Sequence, residues 1–261
     1  MVIHQYTSID SLALILKNKT IKFNRLDCMD DIEEEALSHL GVRLGGFMFA
    51  SCWTYSEEES IPLWKMYTPS SRGVRISLNK DMFAKYPFSL NGANEDIIMS
   101  AIPYDKMFTR EYTIINTFWN ESFFFNKIQY VDDIRAKYDS LIQEKEESVN
   151  ISWGNVGSFK HNSWSFQDEC RFRLQIFPND GISISEEQYA SYLIHCIEKE
   201  RYPSITSYFL NLKEGIFDNL TITLSPFSTE ADRILINLLC NEYAPNATIK
   251  ESSLRNKIRL K

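Results

Sequence analysis

The chain lacks the spacings that turn histidine and cysteine into metal ligands. Its four histidines, His4, His39, His161 and His195, are scattered. Its five cysteines, Cys28, Cys52, Cys170, Cys196 and Cys240, never pair at metal-like spacing. A zinc site needs such residues clustered at short intervals, so no metal is expected. An odd number of cysteines, three of them inside apolar runs, fits free thiols in a reducing compartment. Phosphate-binding signatures are missing too: there is no G-x-G-x-x-G and no G-x-x-x-x-G-K-[ST]. Nor is there a G-x-S-x-G nucleophile elbow. These absences weigh against Rossmann dehydrogenases, P-loop NTPases, elbow hydrolases and zinc deaminases. No apolar run reaches membrane length, and no basic-then-apolar leader opens the chain. The expectation is a cytoplasmic protein with no membrane partner. The formal net charge of -7 disfavours a surface that grips nucleic acid throughout, while leaving room for a local basic cleft. The most cationic stretch is Arg255, Lys257, Arg259 and Lys261, read as a solvated tail.

What remains is an ordinary globular composition, 44% hydrophobic over 261 residues, with no internal repeat and no low-complexity segment. It fits one α+β domain over residues 1–261, with mixed or antiparallel sheets and flanking helices. Residues 2–6 alternate as a strand that places Val2, His4 and Tyr6 on one face. A capping-box-like Thr7-Ser8-Ile9-Asp10 follows, then a helical stripe of Leu12, Ile15 and Leu16. Strands are expected at 20–23, 47–53, 73–78 and 220–224, and helices following the acidic stretch 27–35 to His39, as a short turn at 61–67 and at 186–201. Thr229 should cap a helix through Asp232, with Ile234, Leu235, Leu238 and Leu239 as its apolar stripe. Residues 247–260 read as a last strand or strand pair. The stretch 107–148, with Trp119, Phe123, Phe124 and Phe125 and a charged helix from Asp132 to Glu147, reads as a helical insertion or lid.

Residues 169–177 alternate cleanly. Cys170, Phe172, Leu174 and Ile176 should face the core; Glu169, Arg171, Arg173 and Gln175 should face away. An arginine beside Glu169 would keep its carboxylate ionised, suited to stabilising a developing cation at a ribose carbon. The same pair also reads as a surface ladder of little energetic weight. His4 and Tyr6 share a strand face, and Thr7 sits at a strand-to-helix corner that can present donors to a ribose or phosphate. Equally, His4 is a packed strand residue and Thr7 an N-cap. Trp64 and Tyr67, three apart on a helical turn, could stack on a flat ring or simply fill core. Lys160 could meet a phosphate or face solvent, while Trp164 and Phe166 should anchor their loop by burial. The acidic group Asp30, Asp31 and Glu33 could hold magnesium for a nuclease, or be a solvated turn.

In order, these pieces resemble a bacterial family catalogued as a domain of unknown function, number 2971. The matching residues are His4-x-Tyr6-Thr7, Leu12-x-x-Ile15-Leu16, Ile21-x-Phe23, Asp30-Asp31-x-Glu33 and Ser51-Cys52-Trp53. They continue with Leu63-Trp64-x-x-Tyr67, Arg72-Gly73-Val74 and Lys160-x-x-x-Trp164-x-x-x-x-Glu169-x-Arg171, spread over about two thirds of the chain. The family commonly has a carboxylate two residues before Glu169, where this chain has Gln167; Asp168 is adjacent and points to the opposite strand face. That family is distantly similar to ADP-ribosyltransferases, especially DarT-type enzymes that modify nucleic acid.

The resemblance implies an ADP-ribosyltransferase-like fold and NAD as co-substrate. Glu169 would be the catalytic carboxylate, and His4 would bind the adenosine-side ribose. Thr7 would contact the nicotinamide half, with Tyr6 and Arg171 also at the cofactor site, and Trp64 and Tyr67 would pack near the nicotinamide. Lys160 would touch substrate. It implies a toxin or anti-phage effector acting on RNA, DNA or protein, with an antitoxin partner. The alternatives are a non-catalytic nucleotide-binding or sensing module and a magnesium-dependent nuclease.

Overall fold

The computed structural model describes residues 1–35, 41, 43–88, 98–115, 121–145, 148–179, 181 and 186–259. The chain opens with β1 (Val2–Thr7), α1 (Ile9–Asn18) and β2 (Thr20–Arg25). The cap of α1 is Ser8, whose side chain accepts from the Ser11 amide, so Thr7 closes the strand and is not the N-cap. Leu12 and Leu16 are fully buried, and Ile15 packs against the same core. Next come β3 (Met48–Thr54), α2 (Ile61–Tyr67), β4 (Val74–Asn79) and a hairpin of β5 (Tyr86–Phe88) and β6 (Ile98–Ser100). The acidic stretch 27–35 holds two short 3₁₀ turns, at Leu26–Cys28 and Ile32–Glu35, and the helix expected to follow it to His39 lies outside the described residues.

Among the described residues, 107–148 are not chiefly helical. They hold the end of α3 (Tyr104–Met107), β7 (Tyr112–Ile114), α4 (Glu121–Phe124), β8 (Phe125–Lys127) and β9 (Gln129–Val131). The charged helix is only α5 (Ile134–Ser140), which gives way to a hairpin of β10 (Ile142–Lys145) and β11 (Ser148–Ile151). β12 (Phe159–His161) pairs in parallel with β9, and a 3₁₀ turn leads into β13 (Glu169–Pro178). α6 (Glu186–Glu198), β14 (Ser207–Asn211), β15 (Thr221–Leu224), α7 (Glu230–Tyr243) and β16 (Thr248–Lys250) complete the described elements. The final segment is one three-residue strand followed by turns, not a strand pair to residue 260.

The main sheet runs β14-β2-β3-β1-β4-β15-β16, mixed but mostly antiparallel, with β13 on the other edge of β3. β13 pairs with β3 from Glu169↔Thr54 to Gln175↔Met48. It also receives β7 and β8, so the segment expected to be a lid extends the sheet instead. Cys170, Phe172, Leu174 and Ile176 enter the large core as their alternation predicts. The opposite face of β13 is not solvent. Segments around α5 and β12 cover it, and all ten of its residues are buried. Arg173 is completely buried, donating to the carbonyls of Gly154 and Val156 and to Asn126 and Ser158. A buried guanidinium is tolerable only with acceptors on most of its N–H groups.

α7 begins with the expected capping box between Thr229 and Asp232. Its inward face differs from the expected stripe. Asp232, Ile236 and Cys240 are buried and Leu239 packs on the core, while Ile234, Leu235 and Leu238 are more than half exposed. The reason is Asp232: its carboxylate is drawn in by the cap and by Arg72, which sets the helix rotation. Among the described residues no helix is long and apolar enough to cross a membrane.

Candidate functional site

A fork in the sheet creates the site. β3 offers one edge to two strands at once. β1 takes its end, with His4 opposite Thr54, and β2 takes its start, with Asn24 opposite Ala50. Extending either register would bring both strands to Cys52, and only one strand fits a ladder position. Neither occupies it. The side chain of Gln5 reaches across and donates to the Cys52 carbonyl at 2.9 Å. A backbone acceptor that would otherwise be orphaned is satisfied, and the splayed strands open a cavity of about 320 Å³.

Four charged side chains form the base of that cavity. Lys160 and Glu169 are brought together by the 3₁₀ turn Asn162–Gln167 and by Asp168, which caps it at φ 43° in the left-handed region. Lys160 Nζ donates to Gln167 Oε1 at 2.8 Å and to Glu169 Oε2 at 2.9 Å, and pairs with Glu34 Oε1 at 3.0 Å. An ammonium has three protons, so all are committed. Arg171 donates from Nε to Glu169 Oε1 and from a terminal nitrogen to Glu34 Oε1, both at 2.5 Å, and to the Gly157 carbonyl at 3.2 Å. Two cations and two carboxylates thus close on one another in a space where none is more than 5% exposed. Burial pushes the Glu169 carboxyl up, but the Arg171 and Lys160 charges overcome it and hold the group below the ordinary carboxylate range. Burial pulls the Lys160 ammonium down, but Glu169 and Glu34 overcome that, and its net shift is upward.

The walls carry the neutral groups. His4 hydrogen-bonds Ser77 Oγ through Nδ1 at 2.7 Å, and its Nε2 is buried without a partner. Burial and then the Arg75 charge lower its pKa to about 4, so the ring is neutral at pH 7. Gln167, buried, donates to Tyr67 Oη at 2.9 Å and so links α2 to the charged base. Burial pushes the Tyr67 phenol up to about 12, so it stays protonated. The Glu169 amide donates to Tyr130 Oη at 2.9 Å. The Lys160 ammonium also lies 4.9 Å from the ring centre of Trp164.

Of the residues singled out in the sequence, His4, Tyr6, Tyr67, Lys160, Glu169 and Arg171 line this cavity. Thr7 and Trp64 do not. Trp64 is fully buried beneath Tyr6, their ring centres 4.7 Å apart edge-on, and its indole N–H is taken by Glu59. Its place is core, so it cannot pack on a nicotinamide held in the cavity. Thr7 lies at the β1 corner where Gly73 passes: a Cβ on Gly73 would come 2.4 Å from the Thr7 carbonyl. Lys160 and the Glu169–Arg171 pair are neither solvent-facing nor a surface ladder. Phe166 is 39% exposed and does not anchor its loop by burial.

The acidic run also sorts differently from expectation. Glu33 is exposed, Asp30 and Asp31 line the cavity, and Glu34 turns inward to the cations. Among the described residues no group of three or more His, Cys, Asp or Glu is placed to hold a metal ion. Glu34 was missed in the sequence. Its only signal was a three-residue offset from Asp31, which places both on one side of a 3₁₀ turn.

No protein-family model, curated protein or solved structure matches the chain.

Proposed function

We propose that the cavity binds NAD and that the protein transfers ADP-ribose from it to an acceptor, as a toxin or anti-phage effector related to the 2971 family and to DarT-type enzymes. One observation carries the reading: His4 from the first strand, Tyr67 from the short helix and Glu169 at the head of a later strand line one cavity. That is the order and placement the resemblance implies. The bond between ribose C1′ and the nicotinamide nitrogen breaks, and nicotinamide leaves with the electron pair. An acceptor oxygen or nitrogen bonds to C1′ and releases its proton. An ionised carboxylate near C1′ stabilises the cation formed between those steps, and Glu169 is ionised at neutral pH. The acceptor is a nucleic acid or a protein, and an antitoxin partner would restrain the activity in its host.

A second reading has its own observation. Both oxygens of Glu169 are already engaged by Arg171 and Lys160. A carboxylate paired with two cations projects a weaker field, which suits a module that binds a nucleotide without transforming it. Incubating the protein with NAD labelled in the ADP-ribose half, together with cellular RNA, DNA and protein, separates the two. Label transferred to one acceptor class supports the enzyme. A thermal shift on adding NAD, with no label transferred and no nicotinamide released, supports the module.

A further inference from the structure

The same cavity carries a charge preference. Three polar atoms of its lining residues are buried with no hydrogen-bond partner: Asp31 Oδ2, Glu34 Oε2 and His4 Nε2. Asp31 is 8% exposed, Glu34 2% and His4 8%. Leaving a buried polar group unpaired is unfavourable, so three on the lining of one cavity point to a ligand that pairs them. Two are carboxylate oxygens and can only accept while ionised. Asp31 and Glu34 also feel each other: burial first, and then the Glu34 charge, raises the Asp31 pKa. The third atom, on β1, is independent of this acidic turn.

The two buried cations are turned to their own carboxylates, so the inner wall offers an anion little free positive charge. Lys160 commits all three protons to Glu34, Glu169 and Gln167, and Arg171, fully buried, bonds from each of its three nitrogens to Glu34, Glu169 or the Gly157 carbonyl. The other lining cation, Lys22, is exposed. In all, four carboxylates face three cations around the cavity. We infer that the inner wall formed by Asp31, Glu34 and His4 binds a flat, cationic group bearing N–H donors, and excludes anions. This concerns the charge class of the ligand. It rests on the NAD reading and changes one role in it: oxidised nicotinamide nucleotides carry such a cation, and His4 would then face the nicotinamide rather than the adenosine-side ribose that the resemblance implies; it does not require ADP-ribose transfer.

Three planar isosteres of different charge test it: benzamidine (cationic), benzamide (neutral) and benzoate (anionic). Each is titrated into the full-length protein at pH 7.5 while the His4 ring resonances are followed by NMR. The expected order of affinity is benzamidine, benzamide, benzoate, with about a tenfold gap between first and last, a 1.4 kcal/mol difference. Asp31→Asn keeps an acceptor oxygen but removes a charge, and should cut the preference for benzamidine over benzamide while the far-ultraviolet circular dichroism is unchanged. If Asp31→Asn does not fold, Glu34→Gln serves the same comparison. Benzoate binding as well as benzamidine, or no shift at His4 with any of the three, overturns the inference. Failure here leaves the labelled-NAD result untouched, and failure of that assay leaves this one untouched.

Discussion

Lys160 has three protons and three acceptors, and that arithmetic governs the site. Each partner is buried, so removing one leaves a charge with nowhere to go. Breaking a buried ion pair from one side costs about 3–5 kcal/mol, because the remaining charge is stranded. Glu34→Leu should therefore destabilise the protein by about that amount in urea unfolding, with Lys160 and Arg171 left uncompensated. A loss below about 1 kcal/mol would mean the ion cluster is not closed as described. His4 makes a separate prediction. Its folded pKa, about 4, lies below the ordinary value of 6.5. Between these values the unfolded chain binds a proton that the native chain does not, so stability is lost as pH falls through that window. The stability contribution is present above pH 6.5 and gone below about 4. Urea midpoints measured from pH 7.5 to 4 should fall, and His4→Gln should flatten the part of the slope between pH 6.5 and 4.

At the scale of elements, the site depends on strands that part company. Gly73 holds the corner where β4 starts beside the end of β1, and the nearest atom to an added Cβ is a backbone oxygen at 2.4 Å. Backbone cannot swing away as a side chain can. Gly73→Ala should cost about 1–3 kcal/mol and disturb the His4 ring resonances through β1. A variant with unchanged stability and spectrum would contradict the tight corner. The Thr229 cap of α7 is a simpler case: Thr229→Ala should cost about 1 kcal/mol in thermal or chemical unfolding and leave the cavity intact.

How these elements read in the sequence depended on whether one periodicity governed them. Residues 169–177 showed their alternation, and four of the residues assigned inward are in the core. The burial of Glu169 and Arg171 was not legible, because their cover comes from short strands and turns that carry no period of their own. The stripe on α7 misled for the converse reason. Its apolar residues outnumber the places available, and a cap and an ion pair, not hydrophobicity, decide which face turns in. Trp64 and Tyr67 share a helical turn, yet one is core and the other wall, a split that three-residue spacing does not reveal.

For the whole molecule, the sheet forks around β3, one face carries an apolar core, and the other carries a neutral knot of four charges, with unpaired buried polar atoms on Asp31, Glu34 and His4 of the same cavity lining. The gathering of distant segments onto one cavity followed their order along the chain. Glu34, which completes the knot, stands out only in three dimensions, whereas Gln167 stood out in the sequence only as the place where the family's carboxylate is missing, not as a partner of Lys160.

The most direct measurement is transfer of label from NAD to cellular RNA, DNA or protein by the wild-type protein and by Glu169→Gln, with circular dichroism to confirm that both fold. Tyr67→Phe, which keeps the ring and loses the bond from Gln167, serves as a second variant that leaves every charge in place. The account predicts transfer to one acceptor class, a loss of at least about a hundredfold in Glu169→Gln, on the scale of removing one group that stabilises a transition state, and a smaller loss in Tyr67→Phe. Equal transfer by wild type and a folded Glu169→Gln would contradict it.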